Sequence, residues 1–201
     1  MNDNFKPLPF CDLQTGATYF RPSQELPEHV TETDAAVNVM TDLSKVTAFT
    51  VELITPLNKA LEIMVKRKVR LLLVRDADGA VRGLITSRDI QGNKPKKILE
   101  KSYLTMEELV VRDIMTLKHK LNVLQMEDVS KASVGDIIAS LKEVKRQHAM
   151  VVDTDPDSGK PAVRGIFSLS QIAKQLGLDI DPAKQATTFA EFEQALAEHR
   201  G

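Results

Sequence analysis

Gly83-Leu84-Ile85-Thr86-Ser87-Arg88-Asp89 is the stretch from which the rest of the chain can be read. Apolar residues run up to Ile85, which predicts a buried strand turning directly into a helix. Thr86 stands at the cap position of that helix and Asp89 three residues later. Two readings are open. Thr-x-x-Asp is close to an ordinary capping box, which needs no ligand. The same junction gathers free backbone N–H groups at the positive end of a helix, which suits a phosphate or another anion.

Reading outward, this junction closes a unit of definite order. A short strand is expected near 49–54, and Thr55 caps a helix with Pro56 at its first position. Leu57, Ala60, Leu61, Met64 and Val65 fall on one helical face, and the helix gives way at Lys68. The apolar run 69–74 predicts a strand, Asp76-Ala77-Asp78-Gly79 a hairpin turn, and 80–85 the returning strand. The same order then recurs. Ile114-Met115-Thr116 answers Val39-Met40-Thr41, and Ser133 caps a helix whose Val134, Ile137, Ile138 and Leu141 form one face. Residues 149–153 are the second buried strand, and Gly165-Ile166-Phe167-Ser168-Leu169-Ser170-Gln171 answers the opening stretch, with Ser168-x-x-Gln171 meeting the same capping need. The offset between paired residues is 75 at Met40 and Met115, 77 through the helix and the buried strand, and 82 beyond the longer turn 154–160, changing only between elements as a duplicated unit with loop insertions requires. Thr105-Met106-Glu107-Glu108 is a capping box expected to open a connecting helix towards Ile114. The chain thus divides into an N-terminal arm (1–37), a first repeat (38–104), a second repeat with its connecting helix (105–178) and a C-terminal helical tail (179–201).

The flanks are short. Pro7, Pro9, Pro22 and Pro27 exclude long helices from the arm, while Leu8, Phe10, Leu13, Tyr19 and Phe20 are too apolar for a solvated tail. An extended arm packed on the body or on a second subunit is expected. In the tail, Asp181-Pro182 marks a turn, and Phe189, Phe192 and Leu196 mark one face of a terminal helix.

Composition narrows the function classes. Of 201 residues, 42% are hydrophobic and 27% charged, the balance of a chain with a real core. A formal net charge of −1, 4% aromatic residues and no Trp argue against nucleic acid as a partner. No apolar run has membrane-spanning length and the first residues lack a signal-peptide layout, so a cytoplasmic protein without a membrane partner is expected. Cys11 is the single cysteine, which excludes an internal disulfide. His29, His119, His148 and His199 have no metal-ligand spacing, so no metal is expected. There is no phosphate-cradling Gly-x-x-x-x-Gly-Lys loop and no Gly-x-Ser-x-Gly elbow, and the chain reads as a non-enzyme with no catalytic residues and no catalytic cofactor. The basic clusters 66–68, 94–97, 118–120 and 142–146 read as solvated faces, with Lys118-His119-Lys120 best placed to reach a polyphosphate.

Asp113-Ile114-Met115-Thr116, the helix and buried strand of each repeat and the paired Gly-x-x-Thr/Ser junctions resemble the tandem cystathionine-β-synthase (CBS) domain pair, or Bateman module, over about residues 38–178. The resemblance implies an α/β (α+β) fold of two β-α-β-β-α repeats packed sheet to sheet with pseudo-twofold symmetry. It also implies a homodimer and a regulatory module that senses an adenosine-containing ligand: AMP, ADP or ATP, or S-adenosylmethionine. The state would pass to an unknown regulated protein. A dimerisation module without nucleotide is the alternative.

Carried over residue by residue, the resemblance puts a ribose-binding carboxylate at Asp89 and a phosphate-facing hydroxyl at Thr86, with Ser87 and Arg88 beside it. Leu124, Met126, Gln147, His148 and Ala149 would supply the opposite wall of this first cleft. In the second cleft Gln171 stands where the ribose Asp would be, and a neutral amide loses an acceptor oxygen and a charge. Ser168 and Ser170 remain suited to phosphate, with Thr47, Phe49, Arg70 and Leu71 opposite, although Phe49 and Leu71 also suit a core. On these grounds the first cleft ranks above the second.

Overall fold

The computed structural model describes residues 23–178 and 189–200, with isolated positions 9, 12, 14, 15 and 17 before them. Cys11, most of the arm's apolar residues and Asp181-Pro182 lie outside the described residues, as does the side chain of Phe189.

Two four-stranded sheets form the centre. After a single 3₁₀ turn at Ala36–Val39, the first strand, β1 (Met40–Asp42), leads to β2 (Thr50–Glu52). Helix α1 (Leu57–Arg67), the hairpin of β3 (Leu71–Arg75) and β4 (Val81–Thr86), and the short helix α2 (Ser87–Gln91) complete the first unit. Helices α3 (Asn93–Leu99) and α4 (Val111–Ile114) connect to β5 (Thr116–Leu117). The second unit repeats the plan with β6 (Val123–Gln125), α5 (Met126–Val129), α6 (Val134–Glu143), β7 (His148–Thr154), β8 (Pro161–Ser168) and α7 (Leu169–Gln175). Helix α8 (Phe189–Arg200) follows.

The repeats exchange strands. The sheets run β2-β3-β4-β5 and β6-β7-β8-β1, so each repeat's leading strand completes the other repeat's sheet. Met40 pairs with Phe167 and Asp42 with Gly165, while Gly83 pairs with Leu117 and Leu84 with Thr116. β2 joins β3, and β6 joins β7, in parallel across a helical crossover, and both hairpins are antiparallel. Period-two alternation divides each strand between two cores. Leu72, Val74 and Ile85 face Leu57, Ala60 and Met64 of α1. Val151 and Phe167 face Val134, Ile137 and Leu141 of α6, joined by Phe192 and Leu196 of α8. The alternate residues Leu71, Leu73, Leu84 and Met150 meet between the sheets.

Local chemistry explains most boundaries. Ser133 and Asp136 form a full capping box at α6, and α1 ends at Lys68 in the left-handed conformation (φ 55°). Asp76 closes the hairpin by accepting from the Asp78 and Ala80 N–H groups, and Gly79 (φ 83°) takes the position with positive φ.

Four expectations are corrected. Thr55 does not cap α1: its hydroxyl accepts from Glu52 N–H, and Pro56 remains extended in a bridge to Val110. The Thr105–Glu108 bonds form without opening a helix at Thr105, because Leu109 and Val110 run alongside Thr55, Pro56 and Leu57, and helix α4 begins only at Val111. Burial of Leu109 at 0% exposure holds them there. Val65 is 72% exposed, so the buried stripe of α1 is Leu57, Ala60 and Met64. At α7 Ser168 makes no capping bond; its hydroxyl meets that of Ser170, and Gln171 turns along the helix to Gln175.

The described part of the arm packs on the second repeat. The Gln24 side chain donates to Met40 O and accepts from Asp42 N–H, so it pairs with the free edge of β1. Backbone bonds join Glu32 and Asp34 to the start of α6.

Candidate functional site

Two clefts open where the sheets meet, and corresponding residues of the repeats line them. The junction after β4 supplies Leu84, Thr86, Arg88 and Asp89 to the first, and the junction after β8 supplies Ile166, Ser168, Ser170 and Gln171 to the second. The exchanged strands bring Thr116 to the first and Thr41 to the second. The approach to β7 gives Lys145, Arg146, Gln147 and His148 to the first; the approach to β3 gives Val69, Arg70 and Leu71 to the second.

At the first cleft the junction is a complete capping box. Asp89 Oδ2 accepts from the Thr86 N–H and hydroxyl, each at 2.8 Å, and Thr86 Oγ1 accepts from Asp89 N–H at 3.2 Å. Asp89 Oδ1 lies 2.6 Å from Lys94 Nζ, which also donates to Ile114 O. Both carboxylate oxygens are therefore engaged within the chain. The two junctions therefore differ in their caps, since Asp89 caps its helix and Gln171 does not. Arg88, Lys145 and Arg146 make no ion pair among the described residues and leave the wall cationic. The cleft has a volume of about 140 Å³.

Of the residues expected here, Thr86, Arg88, Asp89, Gln147 and His148 come together. Leu124, Met126 and Ala149 do not: they pack on the core beneath α6. His148 and Ala149 are consecutive in one strand and must face opposite ways. Ser87 does not line the cleft. Lys118, His119 and Lys120 form an exposed 3₁₀ turn that lines neither cleft. Sequence reasoning missed Thr116, Asn122, Lys145 and Arg146. The pairing of Ile114-Met115-Thr116 with Val39-Met40-Thr41 held the signal for both threonines.

The second cleft is larger, about 560 Å³, and unites all seven residues expected of it: Thr47, Phe49, Arg70, Leu71, Ser168, Ser170 and Gln171. Leu43, Val46, Ala48 and Ile166 extend its apolar wall, and among the described residues no acidic side chain lines it. Phe49 and Leu71 serve both expected roles, packing on the hydrophobic cores while showing a face to the cleft. The Arg67 guanidinium lies 5.3 Å from the centre of the Phe49 ring, a cation–π contact that holds the ring. Arg70 makes no ion pair among the described residues.

His148 lines both clefts. Burial, then the Arg70 charge, push its pKa down to about 4 against the opposing pull of Asp89, so the ring is neutral at pH 7. Among the described residues there is no group of three or more His, Cys, Asp or Glu side chains that could hold a metal, and no helix long and apolar enough to cross a membrane.

Comparison with known proteins places this geometry in context. Residues 36–93 match the CBS domain family. No curated protein matches the chain. Among solved structures, an uncharacterized conserved protein from Pyrococcus horikoshii is similar at 21% identity and a TM-score of 0.54, over 77% of this chain and 100% of that one. A CBS-domain containing protein from Agrobacterium tumefaciens is similar at 20% identity and a TM-score of 0.51, over 79% and 98%. CBSX2 from Arabidopsis thaliana, in complex with AMP, shares 26% identity over 70% and 94% of the chains, with a TM-score of 0.47.

Proposed function

We propose that this protein, whose residues 36–93 match the CBS domain family and whose second half carries the same fold, is a regulatory module that binds an adenine nucleotide of the AMP, ADP and ATP class in its second cleft. One observation carries the reading: a cleft of about 560 Å³ whose lining joins apolar Leu43, Val46, Phe49 and Ile166 with polar Arg70, Ser168, Ser170 and Gln171. That volume lies within the roughly 300–1,000 Å³ of small-molecule sites, whereas the first cleft falls below it. A flat, largely apolar base suits Val46, Phe49 and Val69, and a phosphate suits an unpaired guanidinium beside two hydroxyls. With no acidic group among the described residues of the lining, an anionic nucleotide is favoured over S-adenosylmethionine, which carries a sulfonium. The weight thus moves from the Asp89 cleft to the Gln171 cleft. Binding regulates by favouring one arrangement of the two sheets over another, since the cleft walls belong to both. A homodimer and a regulated partner belong to the same proposal.

The test is a thermal-shift panel of AMP, ADP, ATP and S-adenosylmethionine. A nucleotide at a hundred times its dissociation constant adds about 2.7 kcal/mol of stability. Arg70→Ala should lose most of the AMP shift and Asp89→Ala should keep most of it. The opposite pattern would return the nucleotide to the first cleft. No shift with any compound would leave a dimerisation module without nucleotide.

A further inference from the structure

Gln171 occupies the wall of the second cleft, but what it offers a ligand is decided one helical turn further on. Gln175 is buried, 2% exposed, and its side-chain amide donates both N–H groups to backbone carbonyls: to Pro27 O at 2.7 Å and Asn38 O at 2.9 Å. A backbone carbonyl only accepts, so the orientation of this amide is unambiguous. Its Oε1 must then be an acceptor, and Gln171 Nε2 donates to it at 3.0 Å. A flipped Gln171 would set oxygen against oxygen. With one N–H committed, the second N–H and the carbonyl of Gln171 remain. Neither has another partner among the described residues, and the side chain lines the cleft.

We infer that Gln175 is a positioning residue for the second cleft, holding the Gln171 amide so that a ligand meets a carbonyl oxygen and one N–H side by side. A carboxylate at this position would offer acceptors alone. The paired donor and acceptor match neighbouring hydroxyls, each of which both gives and takes a hydrogen bond, as on a ribose. The inference rests on the second cleft being the nucleotide site. It also ties that site to the arm, because Gln175 holds Pro27 through its amide and Val30 N–H through its own carbonyl, and joins both to Asn38 at the start of the first repeat.

Two measurements test it. In the ligand-free, ¹⁵N-labelled full chain, relaxation of the Gln171 side-chain amide should match the rigid backbone, and Gln175→Met should release it. A mobile Gln171 amide in the wild type would overturn the inference, and this arm needs no variant to fold. With AMP, calorimetric titration should show Gln171→Met and Gln175→Met each weakening binding by about tenfold, with the double variant no weaker than either single one. Multiplying losses would mean that Gln175 acts only through overall stability, which also overturns the inference. If AMP fails to bind the wild type, the nucleotide reading falls, while the amide relaxation still decides whether Gln175 positions Gln171.

Discussion

At the scale of single residues, His148 shows how a position acquires its chemistry from its place between the repeats. The corresponding strand position in the first repeat is Leu71, a buried sheet-to-sheet contact. His148 instead carries an imidazole between Arg70 and Asp89, and its pKa is lowered to about 4 from the ordinary 6.5. A histidine with a depressed folded-state pKa takes up protons more readily when unfolded. Its neutral form therefore supports the fold fully above about pH 6.5, and that support is lost as pH falls towards 4. Replacing it with the other repeat's residue, His148→Leu, should raise Tm more at pH 5 than at pH 7. A gap that stays constant between those pH values would count against the burial of this ring. Asp42 is a contrasting case: burial opposes its charge, but hydrogen bonds from Arg164 and Ser44 outweigh burial and hold its pKa at about 2.

Elements are joined where backbones come closest, and the two exchanged strands differ in how much room they leave. A methyl group added at Gly83 in β4 would collide with the Thr116 carbonyl oxygen of β5 and with Met115 Cε. At Gly165 in β8 the obstruction is the flexible side chain of Met40 in β1. Backbone cannot yield without breaking the pairing, whereas a methionine can change rotamer. Gly83→Ala should therefore cost about 3 kcal/mol and Gly165→Ala nearer 1, measured by urea unfolding. Equal costs would mean that β5 is loosely held. Here the sequence was a good guide to the repeat and a poor one to the connections. Hydrophobic spacing located α1, α6 and both hairpins, because those patterns are local. The helix expected from Thr105 begins only at Val111, because Leu109 and Val111 find backbone partners far away in the chain, at Leu57 and Thr55.

For the molecule as a whole, strand exchange means that neither repeat has a complete sheet of its own, since β1 belongs with β6-β7-β8 and β5 with β2-β3-β4. The described chain should unfold in one cooperative calorimetric transition, with van't Hoff and calorimetric enthalpies equal. Helix α8 is part of that unit: Phe192 is fully buried against the second repeat, and Glu193 pairs with Lys142 of α6. Phe192→Ala should destabilise the whole transition by about 3–5 kcal/mol. A separate early melt of the C-terminal segment would show that α8 is only loosely attached.

The sequence by itself determined the duplicated order of helix, strand, turn and junction, and hence the fold class. The residues that the resemblance to the CBS pair implied for the second cleft do line one cleft in the fold. Only the tertiary structure decided which strand completes which sheet, and which side chains face the first cleft rather than the core beneath α6. It also decided the fate of the opening stretch. The sequence shows Asp89 as a helix-capping carboxylate; the fold adds that Thr86 meets its Oδ2 and Lys94 its Oδ1. The physical reason is the same throughout. Periodicity and capping depend on neighbours a few positions away, while the partner of a charge or a strand edge is set by residues that only folding brings near.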